Sequence, residues 1–485
     1  MWKIIAEKEL KDHLQSARFL VTAGVSVFLL LLSMYLGISH YQTRLSQYEQ
    51  AVQMNLESVA QQTNWGTVAP SAFRKPDVME MFVNGVNSDI GRYSNISLMQ
   101  NVRLVRSEFS DDPMLAVFQF LDPTFVVLIV LSLLAILFTY NAVNGEKESG
   151  TLKLVFANNV SRSEFILGKL LGNWVALVVP VLIAFLAGAL MVIAFGVELD
   201  STQWSRFGLF VLAAVLYFSC FMLIGIFVST ATSRSNVSFL VLLVVWISSV
   251  LIIPKAATMT AGQALPVPSA DEIESRLTSY SSQARTEYFA GFSKTLTERM
   301  RATEGLSDEK ADEYRSQNEE TWQQEDDGKR KQMEQTIADY TTRLYEDFYN
   351  QKNRQEKLAF SLAKLSPASM FQLAVMKLAG TDTGLKRRYE EAMKAYRDQY
   401  VKFVQQKGGG MGFRISIGRG SHNVQAGAPN VPQKIDIGEL PRFQPPVYTI
   451  GEAVSASLFD FGLLAIFNIV AFAGAFVAFL RFDMR

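Results

Sequence analysis

Six stretches of the chain are almost free of charge, at 19–38, 124–143, 171–192, 207–228, 237–253 and 456–480. Each is long enough to cross roughly 30 Å of hydrocarbon as a helix. Local signals mark several of their ends. Asp122-Pro123 sets a capping carboxylate before a proline at the first helical position. Ser161-Arg162-Ser163-Glu164 and Thr449-Ile450-Gly451-Glu452 both fit the reciprocal capping box that opens a helix. Pro180 falls inside the third stretch and is expected to kink it.

The polar segments between these stretches carry their own periodicity. Tyr41, Leu45, Tyr48, Val52, Leu56 and Val59 follow helical spacing, so the first span is expected to continue into segment 39–121. In segment 254–455, Leu277, Tyr280, Ala284, Tyr288, Phe292 and Leu296 form one apolar stripe. Met333, Ile337, Tyr340, Leu344 and Phe348 form a second, with an acidic stretch around Asp308–Asp327 between the two. Two long amphipathic helices packed on each other satisfy this pattern. From Lys407 to Pro446 the pattern breaks into Gly408-Gly409-Gly410, Arg414-Ile415-Ser416-Ile417 and Pro445-Pro446, which predicts short strands or ordered loop. Residues 1–18 place Trp2, Ala6, Leu10, Leu14 and Ala17 on one side of a helix and Glu7, Lys8, Lys11 and Asp12 largely on the rest. Such a helix lies in the membrane interface or simply extends the first span.

The fold class expected is therefore an all-α polytopic membrane protein. It has six transmembrane helices, an N-terminal amphipathic interfacial helix and a large, mainly helical extracytoplasmic domain. Lysine and arginine near the span ends set the orientation. Lys3, Lys8, Lys11 and Arg18 precede the first span; Lys147, Lys153, Arg162 and Lys169 lie in 144–170; Arg234 follows the fourth span; Arg481 and Arg485 form the tail 481–485. Both termini are expected in the cytoplasm of a bacterial inner membrane, with 39–121 and 254–455 outside.

Composition adds exclusions. A hydrophobic share of 49% with 19% charged residues is unusual for a water-soluble chain of 485 residues. Lysine plus arginine balances aspartate plus glutamate at 46 each, which gives no sign of a nucleic-acid partner. Cys220 is the single cysteine, so no intrachain disulfide can form. His13, His40 and His422 are far apart, and no cluster has metal-ligand spacing. The apolar run from Phe19 is too long for a secretory h-region, so no signal peptide is expected. The spans hold no nucleophilic, metal-binding or paired-carboxylate constellation, which argues against a membrane enzyme.

Segment 144–170 is the most informative. It reads Asn144-Gly145-Glu146-Lys147-Glu148-Ser149-Gly150-Thr151-Leu152, then Val160-Ser161-Arg162-Ser163-Glu164 and Gly168-Lys169-Leu170. Gly145 and Gly150 have the glycine spacing of a phosphate-binding loop, but Thr151-Leu152 stands where lysine and serine or threonine are required, so no nucleotide site is expected here. The segment resembles the connection after the second span in permease subunits of type-2 ABC exporters. In those, charged residues leave the span and run into Gly-Thr, and a Ser-Arg step opens the helix that enters the third span. The resemblance extends to the span order, the amphipathic prelude, the Leu365-Ser366-Pro367-Ala368-Ser369 segment and the last span. The large insertion after the fifth span is like that of a subgroup of these permeases.

That resemblance implies a coupling segment that touches a separate ATPase chain, with Gly145, Glu146, Lys147, Glu148, Gly150, Thr151, Ser161 and Arg162 as the coupling residues. It implies no cofactor on this chain, with ATP and magnesium held by the ATPase. The chain does not divide into two similar halves, so a second permease copy or a related permease is expected to complete the path. Lys8 is expected to play no part in coupling. Asp460 and Asn468 are candidate functional residues inside the last span, although Asp460 lies only about one turn from the outer end, within reach of water, where a structural role fits as well as a substrate or gating role. Ser366–Gly380 has a serine cap, an initial proline and a final glycine, and is too short to span. By resemblance it dips into the outer leaflet as part of an outward gate; as a bare pattern it also fits a buried helix of the outer domain. A force-transmitting complex that acts on an extracytoplasmic partner without moving cargo is the alternative function.

Overall fold

A computed structural model of the chain describes residues 1–63, 65, 68–97, 102–111, 121–158, 160–407, 413–415, 424–426 and 436–481. Gly408, Gly409, Gly410, Ser416, Ile417, His422 and Arg485 lie outside the described residues. Six helices are long and apolar enough to cross a membrane. The chain falls into two compact units, residues 1–251 with 366–485, and residues 252–365.

The first unit begins with α1 (Trp2–Gln15), which stops where Ser16 turns extended and caps α2 (Ala17–Ala60). The helix α2 is 44 residues long, as the stripe through Val59 requires. The helix α3 (Pro123–Glu148) opens at Asp122, whose side chain accepts from the Phe125 amide, and carries a π-helical segment at Val126–Leu131. A short helix α4 (Thr151–Ala157) precedes α5 (Arg162–Ala194), which runs unbroken through Pro180 and opens with the full Ser161–Glu164 capping box. The helices α6 (Ser201–Ala231) and α7 (Ser235–Ala264) follow; α7 contains a second π-helical segment at Ser248–Ile252. Large side chains such as Tyr217, Phe210, Phe218 and Phe221 on α6 are fully buried, which makes α6 the central helix of the bundle.

Segment 254–455 is not one body. Residues 252–365 form the second unit, whereas everything from Ser366 onward belongs to the first. The second unit is an antiparallel hairpin of the distal part of α7 and α8 (Ala270–Arg301) against α9 (Asp308–Ala363). The two predicted stripes meet, with the Tyr280 and Tyr340 rings stacked 3.8 Å apart. The acidic stretch is the first third of α9, where Glu325 and Asp326 hold Arg299 and Trp322 stacks beneath its guanidinium.

In the first unit, α10 (Pro367–Ala379) ends at Gly380 in the left-handed conformation, and α11 (Gly384–Gln406) follows. Leu385, Tyr389, Met393, Tyr396, Tyr400 and Val404 on α11 pack against Val59, Ala72, Ile90, Ile96 and Leu104. This small core joins segment 39–121 to α11. Each tyrosine satisfies its hydroxyl on a loop carbonyl: Tyr389 on Lys75, Tyr396 on Pro441 and Tyr400 on Val68. The segment 71–95 adds a two-stranded antiparallel ribbon, β1 (Ser71–Phe73) with β2 (Tyr93–Asn95). A second ribbon pairs β3 (Phe413–Ile415) with β4 (Val424–Ala426). The last helix, α12 (Ile450–Leu480), opens with the Thr449–Glu452 capping box.

Candidate functional site

The helix ends of 139–164 gather the predicted coupling residues into one place. Near its end α3 passes through a turn at 140–143 and closes on a last helical turn, Asn144–Glu148. Asn144 is fully buried and bridges Ser229, Thr232 and Ser235 at the junction of α6 and α7.

Three consecutive charges then go to four different helices. Glu146 turns inward and accepts from Lys169 on α5 at 2.8 Å and from Lys8 on α1 at 3.2 Å. Lys147 donates to the carbonyls of Thr230 and Thr232, the free C-terminal end of α6. Glu148 accepts from the amide and hydroxyl of Ser235, both at 2.8 Å, at the N-terminus of α7. Cation on a C-terminus and carboxylate on an N-terminus both agree with the helix dipole. The sequence left open whether these charges meet neighbouring helix ends or a partner; the structure uses all three on neighbouring helices.

What remains at the surface is the tip. Ser149, Gly150, Thr151, Lys153 and Leu154 are exposed, Leu154 by 67%. Gly150 has φ +74° and opens α4, so a side chain here meets open space but a strained backbone. The Ser149 and Thr151 hydroxyls lie 2.9 Å apart across it. Gly145 faces only Asn141. Ser161 caps α5, and the Arg162 guanidinium donates to the carbonyl of Leu480, closing the C-terminal end of α12. Leu154 was not singled out from the sequence, although an apolar residue between Lys153 and the end of a short charged connection was a legible signal.

The prelude joins this arrangement more deeply than expected. A Cβ on Gly168 would come within 2.8 Å of the Trp2 carbonyl, and one on Gly172 within 2.7 Å of the Ala6 carbonyl, so α1 lies directly on α5. Two glycines four apart permit that approach. The face so buried carries Ile5 and Ala6 together with polar residues. Glu9 accepts from Lys169 at 2.8 Å and from Asn173 at 3.3 Å, and His13 pairs with Asn173 at 2.8 Å. The apolar residues Trp2, Ile4 and Leu14 stay exposed, as suits a lipid-facing surface. Lys8, read from sequence as outside the segment, belongs to the same network through Glu146.

Inside the bundle the two candidates differ. Asn468 donates to the carbonyls of Leu216 on α6 and Leu464 on its own helix, an ordinary interhelical tie. Asp460 does not reach water: it is completely buried, and its carboxylate meets Lys377 of α10 at 2.6 Å. The helix α10 sits among the apolar helices, with Phe371 stacked on Tyr217 of α6 at 4.7 Å. Sequence spacing could not pair residues 83 positions apart.

The family profile of ABC-2 family transporter proteins matches residues 3–484. This chain belongs to the ABC-2 transporter family. Two curated relatives of the ABC-2 chain are each described as a probable ABC transporter permease protein NosY. The one from Stutzerimonas stutzeri is 32% identical over 125 residues, covering 25% of this chain and 45% of the relative. The one from Pseudomonas aeruginosa is 31% identical over 108 residues, covering 22% of this chain and 39% of the relative. The chain thus spans less than half the length of the curated relatives it matches. ABC-2 membership agrees with the fold, a multi-pass helical membrane protein.

Proposed function

We propose that the chain is the permease subunit of an ATP-driven exporter that moves an unidentified cargo across or out of a bacterial inner membrane, powered by separate ATPase subunits. The observation that carries this reading is the tip at Gly150–Leu154. Its neighbouring charges are committed to α1, α5, α6 and α7, so a push on the tip reaches four helices through short polar links rather than a slack loop. ATP and magnesium belong to the partner, and a second permease copy or a related permease completes the path. Both termini and the tip lie in the cytoplasm, and the segments 39–121 and 254–455 lie outside. Rearrangement between two access states then follows from the differential affinity of the ATPase pair for nucleotide.

Leu154→Glu in the full chain tests the contact. It places a charge where an apolar knob is expected to enter the motor, and it touches no packed residue. Loss of ATPase co-purification with normal membrane insertion supports the reading; full retention removes its main support. Orientation is tested separately with Cys220→Ala in the background. Ser149→Cys is expected to be shielded from an impermeant thiol reagent in intact cells, and Ser282→Cys to be labelled.

A force-transmitting complex is favoured by one specific observation. The hairpin of residues 252–365 is a compact unit of its own, built from helices of 32 and 56 residues. Removing it while keeping α7 joined to α10 separates the readings: an exporter keeps nucleotide-driven movement of cargo, whereas a force transmitter loses all function.

A further inference from the structure

The root of the hairpin is the basic end of the second unit. The apolar run of α7 ends at Ile253, and Lys255 follows after one proline. Beyond it, Ala257 and Ala261 of α7 and Ala359 and Ala363 of α9 are buried where the two helices pack. Gln355 ties them by donating to the Leu265 carbonyl at 2.7 Å. Counting back along both helices from that tie brings Lys364 level with about Ala256 and Lys357 level with about Gln263. Off this seam, Arg354, Lys357, Ser361 and Lys364 follow one another at steps of three and four residues and form one stripe of α9.

Lys255, Arg354 and Lys357 are exposed, and among the described residues their side chains form no ion pair or hydrogen bond. Glu356 is the single acid in 348–365, against Lys352, Arg354, Lys357 and Lys364. Apolar side chains accompany the cations: Ile252 is 55% exposed and Leu365 69%. Apolar groups at the hydrocarbon edge with lysines just beyond them suit a membrane interface, because the stems can lie on acyl chains while the ammonium groups reach phosphate. In the proposed orientation this root lies outside, where span ends ordinarily carry few lysines and arginines. The other short connection on that side, 197–206, has Arg206 alone, and it is buried against Tyr448. The cations of the root are an exception to that bias, with no partner in the protein to account for Lys255, Arg354 or Lys357 among the described residues.

We propose that the hairpin root is a docking surface for anionic phospholipid. Lys255 and Lys364 meet phosphates at the headgroup level, within roughly 5–7 Å of the hydrocarbon edge. Lys357 and Arg354 stand about two to three turns higher. Side-chain length and a Debye length of about 8 Å still bring them under the pull of an anionic surface. Ile252 and Leu365 enter the acyl boundary beneath. The permease reading enters only in naming the leaflet; the surface belongs to this chain and needs neither cargo nor motor.

The test uses the full chain in lipid nanodiscs, with Cys220→Ala and a bimane attached at Thr258→Cys, an exposed position about one turn beyond Lys255. Quenching is compared for phosphatidylglycerol and phosphatidylcholine, each carrying a nitroxide high on one acyl chain and present at equal mole fraction. Labelled phosphatidylglycerol is expected to quench about threefold more strongly in low salt. At about 0.5 M salt, where the Debye length falls to roughly 4 Å, the two lipids should become equal. Lys255→Gln with Lys357→Gln should abolish the preference, whereas Lys294→Gln, on α8 away from the root, should leave it unchanged. Equal quenching by the two lipids in the parent at low salt overturns the proposal, and this arm needs no charge variant that could fail to fold. A preference that survives the double substitution, or is lost equally with Lys294→Gln, overturns it too. Inorganic phosphate at millimolar concentration that erases the preference while matched chloride does not would mark a free-anion site, and the lipid surface would fall. No arm involves an ATPase, so the permease reading can fail without touching the result.

Discussion

Two buried ion networks hold the ends of the first unit, and they are built differently. One links Lys8, Glu146, Lys169 and Glu9 on α1, α3 and α5. The other links Arg44 of α2 with Glu80, Arg74, Asn87, Glu108 and Arg92 of the segment 39–121. Along α2 they are separated by roughly 40 Å, at 1.5 Å per residue between Ser16 and Arg44. Lysine dominates the cations of the first and arginine those of the second. A guanidinium is a planar fork that fixes its partners' geometry, whereas an ammonium is a point charge with rotatable donors. On the proposed function, the lysine network suits an end where helices shift and stay paired. The arginine network suits an end where a folded segment is stapled to a helix. Around Glu108, burial opposes ionisation, but Arg44, a hydrogen bond from Ser88, and the neighbouring His40 and Arg92 outweigh it and hold the carboxyl below its ordinary range.

The largest expected effect is Lys169→Met. It leaves Glu9 and Glu146 buried without their shared cation, at a cost of about 3–5 kcal/mol. Thermal unfolding in detergent should fall steeply, and α1 should become sensitive to protease. Arg44→Met comes next. Arg74 and Arg92 still neutralise the two carboxylates, so the loss should be about 1.5–3 kcal/mol. Proteolysis should begin within 71–108 while association with an ATPase stays intact. If both variants weaken ATPase association equally, the contrast between the two ends is broken. Gly150→Val should cost only about 1–2 kcal/mol, since the left-handed backbone strains a side chain that meets no neighbour. Its signature is functional: normal insertion, but ATP turnover uncoupled from the permease. Lys8→Ala is the smallest, about 0–1 kcal/mol, because the Lys8 side chain is 54% exposed. A large effect of Lys8→Ala would mean that α1 is held mainly through Glu146 and not through its glycine seam with α5.

The contrast also explains what could be read in advance. Six apolar runs became six long helices because a helix satisfies its whole backbone within one segment, as hydrocarbon requires. The capping boxes at Ser161 and Thr449 formed because their chemistry is local. The stripe Leu385, Tyr389, Met393, Tyr396, Tyr400 and Val404 was equally legible as helical spacing, yet only the fold shows that it meets residues 59–104. Glu9 with Lys169, and Lys377 with Asp460, join positions 160 and 83 apart. A charge on an apolar helix announces the need for a partner but not its identity. The prelude reads as an interfacial helix, and its apolar Trp2, Ile4 and Leu14 are indeed exposed; that Glu9 and His13 on its other side meet Lys169 and Asn173 could not be read from spacing.

The hairpin of the second unit has a mechanical meaning of its own. Its longer helix, 56 residues at 1.5 Å each, measures about 84 Å. Cross-links of side chains recur along it, from Gln355 on Leu265, through Tyr345 on Glu274 and Tyr340 on Tyr280, to Asp326 on Arg299. A rod braced at such intervals turns as one piece. A tilt of about 5° at one end carries the other by about 7 Å for that length. A dye pair placed at the turn around Gly305 and on a fixed reference would therefore read out rotations too small to see at the base. The hairpin is a built-in pointer for whatever moves its root.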